Sequence, residues 1–260
     1  MNTGFYVGGN SDHSPRGGDV FGRNEEMHLL RERLASRHSF LLHGPSGVGK
    51  TLLLSVLLPE LPRILYSGQN STPQVLYRNL AEALLSSGHR LLAAAGGAQG
   101  GSIQDKSAVA LKGVVREALR NSGYLLVLDH LFRPSQTLAA AIRELKLSCS
   151  VAVVAVSRSD HMEDAGFVLP LFPDRRDKLS IRNFDSDVAL QFARWCAEEE
   201  VLKAENVGQF LSKIVEFSAG NPGAMRQMIR MAKSAKYSHE GQIKITPLYI
   251  DYKLATLAHG

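Results

Sequence analysis

The chain is poor in cysteine and tryptophan. Only Cys149 and Cys196 occur among its 260 residues, and Trp195 stands alone. Two thiols in a chain of this length exclude a disulfide-stapled scaffold. They fit a reducing compartment with both as small core residues, so the expected location is cytoplasmic. No apolar run approaches the length of a membrane span, so no membrane partner is expected. The start, Met1 to Gly18, is polar and glycine-rich and lacks the apolar stretch of a secretory leader. No internal repeat is present. The nine histidines show no ligand spacing and make no metal site with the cysteines. A G-x-S-x-G elbow is missing, which discounts a serine hydrolase built on Ser39, Ser46 or His43. The guanine-reading N-K-x-D motif is missing as well. Negative charge is in modest deficit: the net charge is +5. That fits nucleic-acid contact and fits a merely basic soluble protein equally well.

What is present is concentrated at Gly44-Pro45-Ser46-Gly47-Val48-Gly49-Lys50-Thr51, a complete G-x-x-x-x-G-K-[ST] phosphate loop. Its glycines let the backbone wrap a phosphate chain without Cβ clashes. Lys50 would place its ammonium on the β- and γ-phosphates, and Thr51 would give its hydroxyl to Mg2+. The apolar run 39–43 leads into the loop and Leu52 to Leu57 reads as the helix after it. Strand, loop and helix are the context the motif requires, and the helix N-terminus adds its dipole to the anion site.

Residues 1–18 read as a disordered N-terminal segment. A helix with Met27, Leu29, Leu30 and Leu34 on its apolar side runs through about Ser36. Strands are expected at 39–43, 62–67, 124–128 and 151–156, and helices at about 71–87, 106–120 and 137–145. Ala93 to Ser102, rich in alanine and glycine, reads as a mobile loop. Strands alternating with helices imply an α/β fold with a mostly parallel sheet flanked by helices. Its ligands belong at the carboxyl ends of the strands. Around 179–184 the pattern changes. Helices at about 186–200, 206–218 and 222–236, then one from Thr246-Pro247 towards Ala258, make a small all-helical lid. The expected division is therefore a core over 19–178 and a lid over 179–260.

Asp129 ends the buried strand 124–128, the Walker B arrangement, where a carboxylate holds Mg2+ through water. Ser157-Arg158 follows the next strand. Either side chain would reach a γ-phosphate, or Arg158 is a solvated strand end. In Gly220-Asn221-Pro222-Gly223, Asn221 suits a helix N-cap and Pro222 the first helical position. That turn is also expected to pack on a nucleotide base, with Arg226 one turn further on towards the phosphates. Arg226, Arg230 and Lys233 share one helix face, with Lys236 close by. They make either a solvated face or a stripe that tracks nucleic-acid phosphates.

Phe21-Gly22-Arg23-Asn24-Glu25-Glu26 resembles the F-x-G-R-x-x-E opening of AAA+ and STAND ATPases. The phosphate loop, the Leu125 to Asp129 strand end, Ser157-Arg158 and Gly220-Asn221-Pro222 follow in the order of those families. The layout is most similar to the origin-recognition and transposition-helper branch. The resemblance implies a P-loop NTPase fold, ATP and ADP as ligands, Mg2+ as cofactor and adenine contact by Phe21, Gly22 and Arg23. It also implies that an arginine between the last core strand and the lid, Arg175 or Arg176, reaches a neighbour's site in a homo-oligomer; a solvated loop is the alternative. Two departures stand out. His130 replaces the acidic residue that follows the Walker B aspartate in many such ATPases. Either its imidazole serves as the base or it only hydrogen-bonds nearby and hydrolysis is slow; slow hydrolysis is the favoured expectation. Gly223, not arginine, stands three residues after Gly220. The expected function is an ATP-dependent switch or assembly helper that recruits a partner protein, with weak ATPase activity. The alternative is a DNA-associated ATPase that assembles on duplex DNA.

Overall fold

The computed structural model describes residues 20–88 and 107–258. The expected disordered segment 1–18 and the Ala93 to Ser102 loop lie outside the described residues. The described residues divide into two compact units, one holding 25–44, 50–88 and 107–181, the other 20–24, 45–49 and 182–258.

In the first unit, β1 (Phe40–His43), β2 (Ile64–Ser67), β3 (Leu125–Leu128), β4 (Ala152–Ser157) and β5 (Lys178–Ser180) form one sheet in the order β2-β3-β4-β1-β5, with every pair parallel. Parallel strands are covered on both faces and therefore read as unbroken apolar runs. Leu125 to Leu128 is such a run, buried throughout. The β5 segment was expected only as a change of pattern. It is too short and too mixed to show a period, and its pairing with β1 makes it a strand.

Helices α1 (Asn24–Ala35), α2 (Lys50–Leu57), α3 (Pro73–Ser86), α4 (Ala108–Leu119), α5 (Gln136–Ser148) and the single turn α6 (Met162–Ala165) complete this unit. Thr72, Ser107 and Ser135 cap α3, α4 and α5 through side-chain oxygens that accept from Val75, Ala110 and Leu138. Each such cap is worth about 1 kcal/mol. Leu76, Leu80 and Leu84 of α3 pack with Leu111, Val115 and Leu119 of α4 in the core beside the sheet. The phosphate-loop strand, the Asp129 strand and β4 end on the same edge of the sheet because all run parallel.

In the second unit, α7 (Ser186–Glu199), α8 (Val207–Ser218), α9 (Pro222–Ala232) and α10 (Ile245–Ala258) enclose their own core of Phe192, Phe210, Ile214, Met225, Met228 and Leu248. Two details differ from expectation. Helix α9 stops at Ala232 rather than near 236, because Ser234 turns its hydroxyl to the amide of Lys236 and starts a short 3-10 turn. A hairpin of β6 (Ser238–His239) and β7 (Gln242–Ile243) follows, so the bundle is helical but for this ribbon. Glu240 and Gly241, both at positive φ, form its two-residue turn. Two-residue strands carry no readable alternation.

Candidate functional site

The first unit gathers Lys50, Thr51, Asp129 and His130 around one carboxylate. Asp129 is only 1% exposed. A carboxylate withdrawn from water needs partners, and three groups donate to it. The Thr51 hydroxyl (2.8 Å) and the Tyr66 hydroxyl (2.9 Å) share Oδ2, and the backbone N–H of His130 reaches Oδ1 at 2.7 Å. Burial and the neighbouring Asp129 hold the Tyr66 phenol well above its ordinary pKa, so it stays a donor. The backbone at the end of β3 is clamped by Asn70, whose side chain donates to the carbonyls of Ser67 (3.1 Å) and Asp129 (3.4 Å). Tyr66 and Asn70 were not singled out in the sequence. The only signal was a run of polar residues at a strand's carboxyl end.

Lys50 opens α2 and donates from Nζ to the carbonyl of Gly44 at 2.6 Å. Burial first, then the Arg158 charge, lower its pKa to about 8 against the pull of Asp129. His130 sits at φ 53, in the left-handed region, which returns the chain to the sheet through the Leu131 N–H on the Val156 carbonyl. Its imidazole is 63% exposed, with Nε2 3.8 Å from Asp129 Oδ2. The Ser157 hydroxyl is buried with no hydrogen-bond partner among the described residues. Arg158 is exposed, its guanidinium 4.4 Å above the Phe132 ring. Arg175 and Arg176 lie apart from these groups in an exposed 3-10 turn; Arg176 meets Asp174 at 3.4 Å.

The second unit holds the apex of the loop. Gly220 packs within the bundle, and Asn221 meets the bundle and the loop at once. A Cβ on Gly220 would lie 2.1 Å from the Phe184 carbonyl oxygen, so only glycine fits there. The Asn221 side chain accepts from the Ala224 N–H at 3.0 Å and donates to the Ser46 carbonyl at 2.9 Å and to Asn183 Oδ1 at 3.1 Å. Pro222 is buried at the first position of α9. The Gly223 N–H donates to the Gly47 carbonyl at 2.9 Å. Gly47 itself is at φ 79. Within the apex the Val48 N–H turns back to the Pro45 carbonyl at 3.4 Å, and Gly49, at φ 102, leads out of it.

Arg23 is 3% exposed and donates to the carbonyls of Val48 (3.3 Å) and Arg182 (2.7 Å), its guanidinium 4.2 Å over Phe184. Gly22, at φ 63, lets Phe21 fold into a cluster in which it stacks on Trp195 at 5.5 Å and meets Phe192 edge-on at 5.4 Å. Arg226 turns to Glu199 (3.5 Å) and the Trp195 face (5.1 Å). Arg230 and Lys233 both pair with Glu200, at 3.1 and 2.8 Å, and Lys236 pairs with Asp251 at 2.6 Å. The cationic face of α9 is thus largely matched by carboxylates that a helical-face count could not see.

Thr51 and Asp129 offer hard oxygen donors side by side, a set that suits Mg2+. Lys50 and the glycine-rich loop suit polyphosphate. Among the described residues no helix is long and apolar enough to cross a membrane.

A family profile described as Novel STAND NTPase 1 matches residues 17–228. No curated protein matches the chain by sequence. Among solved structures, the Aeropyrum pernix ORC1 protein in complex with DNA is similar with a TM-score of 0.63 and 19% identity, over 92% of this chain and 66% of its own. A Walker-type ATPase of Pyrococcus abyssi gives 0.55 and 18%, over 82% and 68%. A STAND protein with a tetratricopeptide repeat sensor from Pyrococcus horikoshii gives 0.52 and 15%, over 93% of this chain but 33% of its own. At these identities the likeness is one of fold: an α/β P-loop NTPase with a parallel sheet and a C-terminal helical region.

Proposed function

Because the chain belongs to the novel STAND NTPase 1 family, we propose that it binds ATP with Mg2+ at residues 44–51, hydrolyses it slowly, and in the ATP-bound form assembles on duplex DNA. The observation that carries the nucleotide reading is the convergence of the Thr51 and Tyr66 hydroxyls on the Asp129 carboxylate, beside a Lys50 held at the Gly44 carbonyl. Thr51 and Asp129 are the residues that would hold Mg2+, which when bound neutralises charge on the β- and γ-phosphates. Lys50 places a compact cation on the same phosphates. Tyr66 and the His130 N–H fix the Asp129 carboxylate, so its orientation needs no rearrangement on binding.

Slow turnover follows from position 130. A carboxylate there would orient and deprotonate water. His130 instead has its imidazole near the Asp129 carboxylate and largely in solvent, a weaker arrangement for a base. Ser157, buried without a hydrogen-bond partner among the described residues, and Arg158 are the candidates for sensing a γ-phosphate. Phe21, Gly22, Arg23 and Pro222 would contact the nucleotide, with residues 19–178 acting as core and 179–260 as lid. ATP rather than GTP rests on the family resemblance.

The DNA reading is supported by the fold likeness to an ORC1 protein bound to DNA and by the net charge of +5. A second reading, recruitment of a partner protein, is supported by the likeness to a STAND protein carrying a repeat sensor. Phosphate release and duplex binding measured with ATP and with ADP separate them. DNA assembly predicts ATP-dependent duplex binding that weakens steeply with salt. Lack of duplex binding at low salt with ATP present leaves partner recruitment. Lack of ATP binding by calorimetry removes both.

A further inference from the structure

Three successive carbonyls of the phosphate loop are each taken by a donor from outside it. Ser46 accepts from the Asn221 side chain at 2.9 Å, Gly47 from the Gly223 N–H at 2.9 Å, and Val48 from Arg23 Nη2 at 3.3 Å. A trans peptide unit is planar, and its C=O and N–H point in opposite directions. Fixing these three carbonyls therefore fixes the directions of the Gly47, Val48 and Gly49 N–H groups, that of Val48 turning back to the Pro45 carbonyl at 3.4 Å. Those N–H groups belong to the stretch that cradles phosphate in such loops.

The approach is close enough to require two glycines. A Cβ on Gly223 would lie 2.8 Å from both the Gly47 Cα and its carbonyl oxygen, and a Cβ on Gly47 would lie 2.7 Å from Asn221 Oδ1. This accounts for the glycine at position 223. The turn presents its backbone to the loop, and any side chain there would push the loop away.

We infer that Asn221, Gly223 and Arg23 are positioning residues that pre-organise the phosphate loop, so that the helical bundle sets nucleotide affinity through the loop's own backbone without touching phosphate. This rests on the reading of residues 44–51 as a nucleotide site. A loop released from the clasp populates its binding-competent shape only in part, and apparent affinity falls by that fraction.

Asn221 allows the clasp to be separated from helix capping. Asn221→Asp keeps an oxygen for the Ala224 N–H but sets a carboxylate against the Ser46 and Asn183 oxygens; Asn221→Ser keeps a cap but cannot reach Ser46. The experiment measures ATP binding by calorimetry, thermal midpoint without nucleotide, and amide hydrogen exchange across residues 46–50, for wild type, Lys50→Ala, both Asn221 variants and Gly223→Ala. The expected result is ATP affinity lowered about tenfold in both Asn221 variants, as for one lost hydrogen bond plus an exposed mismatch. Loop exchange should be faster, with the nucleotide-free midpoint lowered by no more than a few degrees, roughly what one lost hydrogen bond costs. Gly223→Ala should lose at least as much affinity; if it fails to fold, the Asn221 pair decides. Unchanged affinity in the Asn221 variants overturns the inference, as does tighter binding, which would make the clasp a lock. A lowered midpoint with loop exchange unchanged overturns it too. If Lys50→Ala also binds ATP normally, the nucleotide-site reading itself has failed.

Discussion

Lys50 is charged at a cost. Burial first, then the Arg158 charge, lower its pKa from 10.5 to about 8, while Asp129 and Asp164 oppose this. Because the folded-state value lies below the unfolded one, the unfolded chain binds more protons between about pH 8 and 10.5. The Lys50 contribution to nucleotide-free stability should therefore rise with pH across that window, read as the difference between wild type and Lys50→Met, since the thiols of Cys149 and Cys196 titrate there with the opposite sign in both proteins. Phosphate binding has the opposite sign. If it uses the Lys50 ammonium as proposed, ATP affinity should fall above pH 8, approaching about tenfold per pH unit. Calorimetry from pH 7 to 9.5 checks this, and a flat profile would mean that Lys50 does not meet the phosphates. At neutral pH, if Lys50 meets the phosphates as proposed, Lys50→Ala should remove a charge-assisted contact of about 1.5–3 kcal/mol and weaken ATP binding at least about tenfold with the fold retained. At position 130, wild-type phosphate release should be slow and His130→Glu should raise it. Fast wild-type turnover, unaffected by His130→Ala, would show that another group positions the water.

At the scale of the element, α9 shows how a helical face can be read correctly in spacing and incompletely in charge. Arg226, Arg230 and Lys233 do lie on one side of the segment, but Glu199 and Glu200, at the C-terminal end of α7, meet them. Hydrogen bonds from Lys233 and Arg230 hold the Glu200 carboxyl below its ordinary pKa. With the folded value depressed, what this pairing adds to stability is present above the unfolded pKa and fades as pH falls through the folded one. The pairs are partly exposed, so that contribution is small. The consequence for DNA is testable. Glu200→Gln frees two cations, and if duplex DNA lies along this face the log–log salt slope should steepen by about 0.9 for each cation that gains a phosphate. Arg230→Glu with Lys233→Glu should flatten it. An unaltered slope in both makes the face a solvated surface. The turn at Arg175–Asp177 invites a parallel test. Replacing Arg175 and Arg176 by alanine should reduce ATPase activity while leaving ATP binding intact, if either completes a neighbour's site. A protein that stays monomeric with ATP at high concentration would count against that role.

For the molecule as a whole, the motifs were legible because they are local. The phosphate loop, the Asp129 strand end, the cap at Asn221 and the alternation of strand and helix each depend on a few consecutive residues whose backbone needs are specific to residue type. That sufficed for the parallel sheet, the helical region and the family. Short elements were not legible: β5 and the hairpin at 238–243 are too brief to show a period and exist through their pairing partners. Tyr66 joined the site because β2 runs beside β3, a neighbour relation that no local pattern encodes. Asn221 looked fully explained as an N-cap, since a single side chain with a donor and an acceptor discloses only its local bond to a sequence reader. The sequence by itself determined which chemistry the chain carries, because phosphate-loop and strand-end residues act through their own backbone and side chains. Only the tertiary structure decided how that chemistry is held — Asp129 by Tyr66, the loop by Arg23, Asn221 and Gly223, the α9 cations by Glu199 and Glu200 — because each of these contacts joins residues far apart in the chain and depends on distances that folding alone sets.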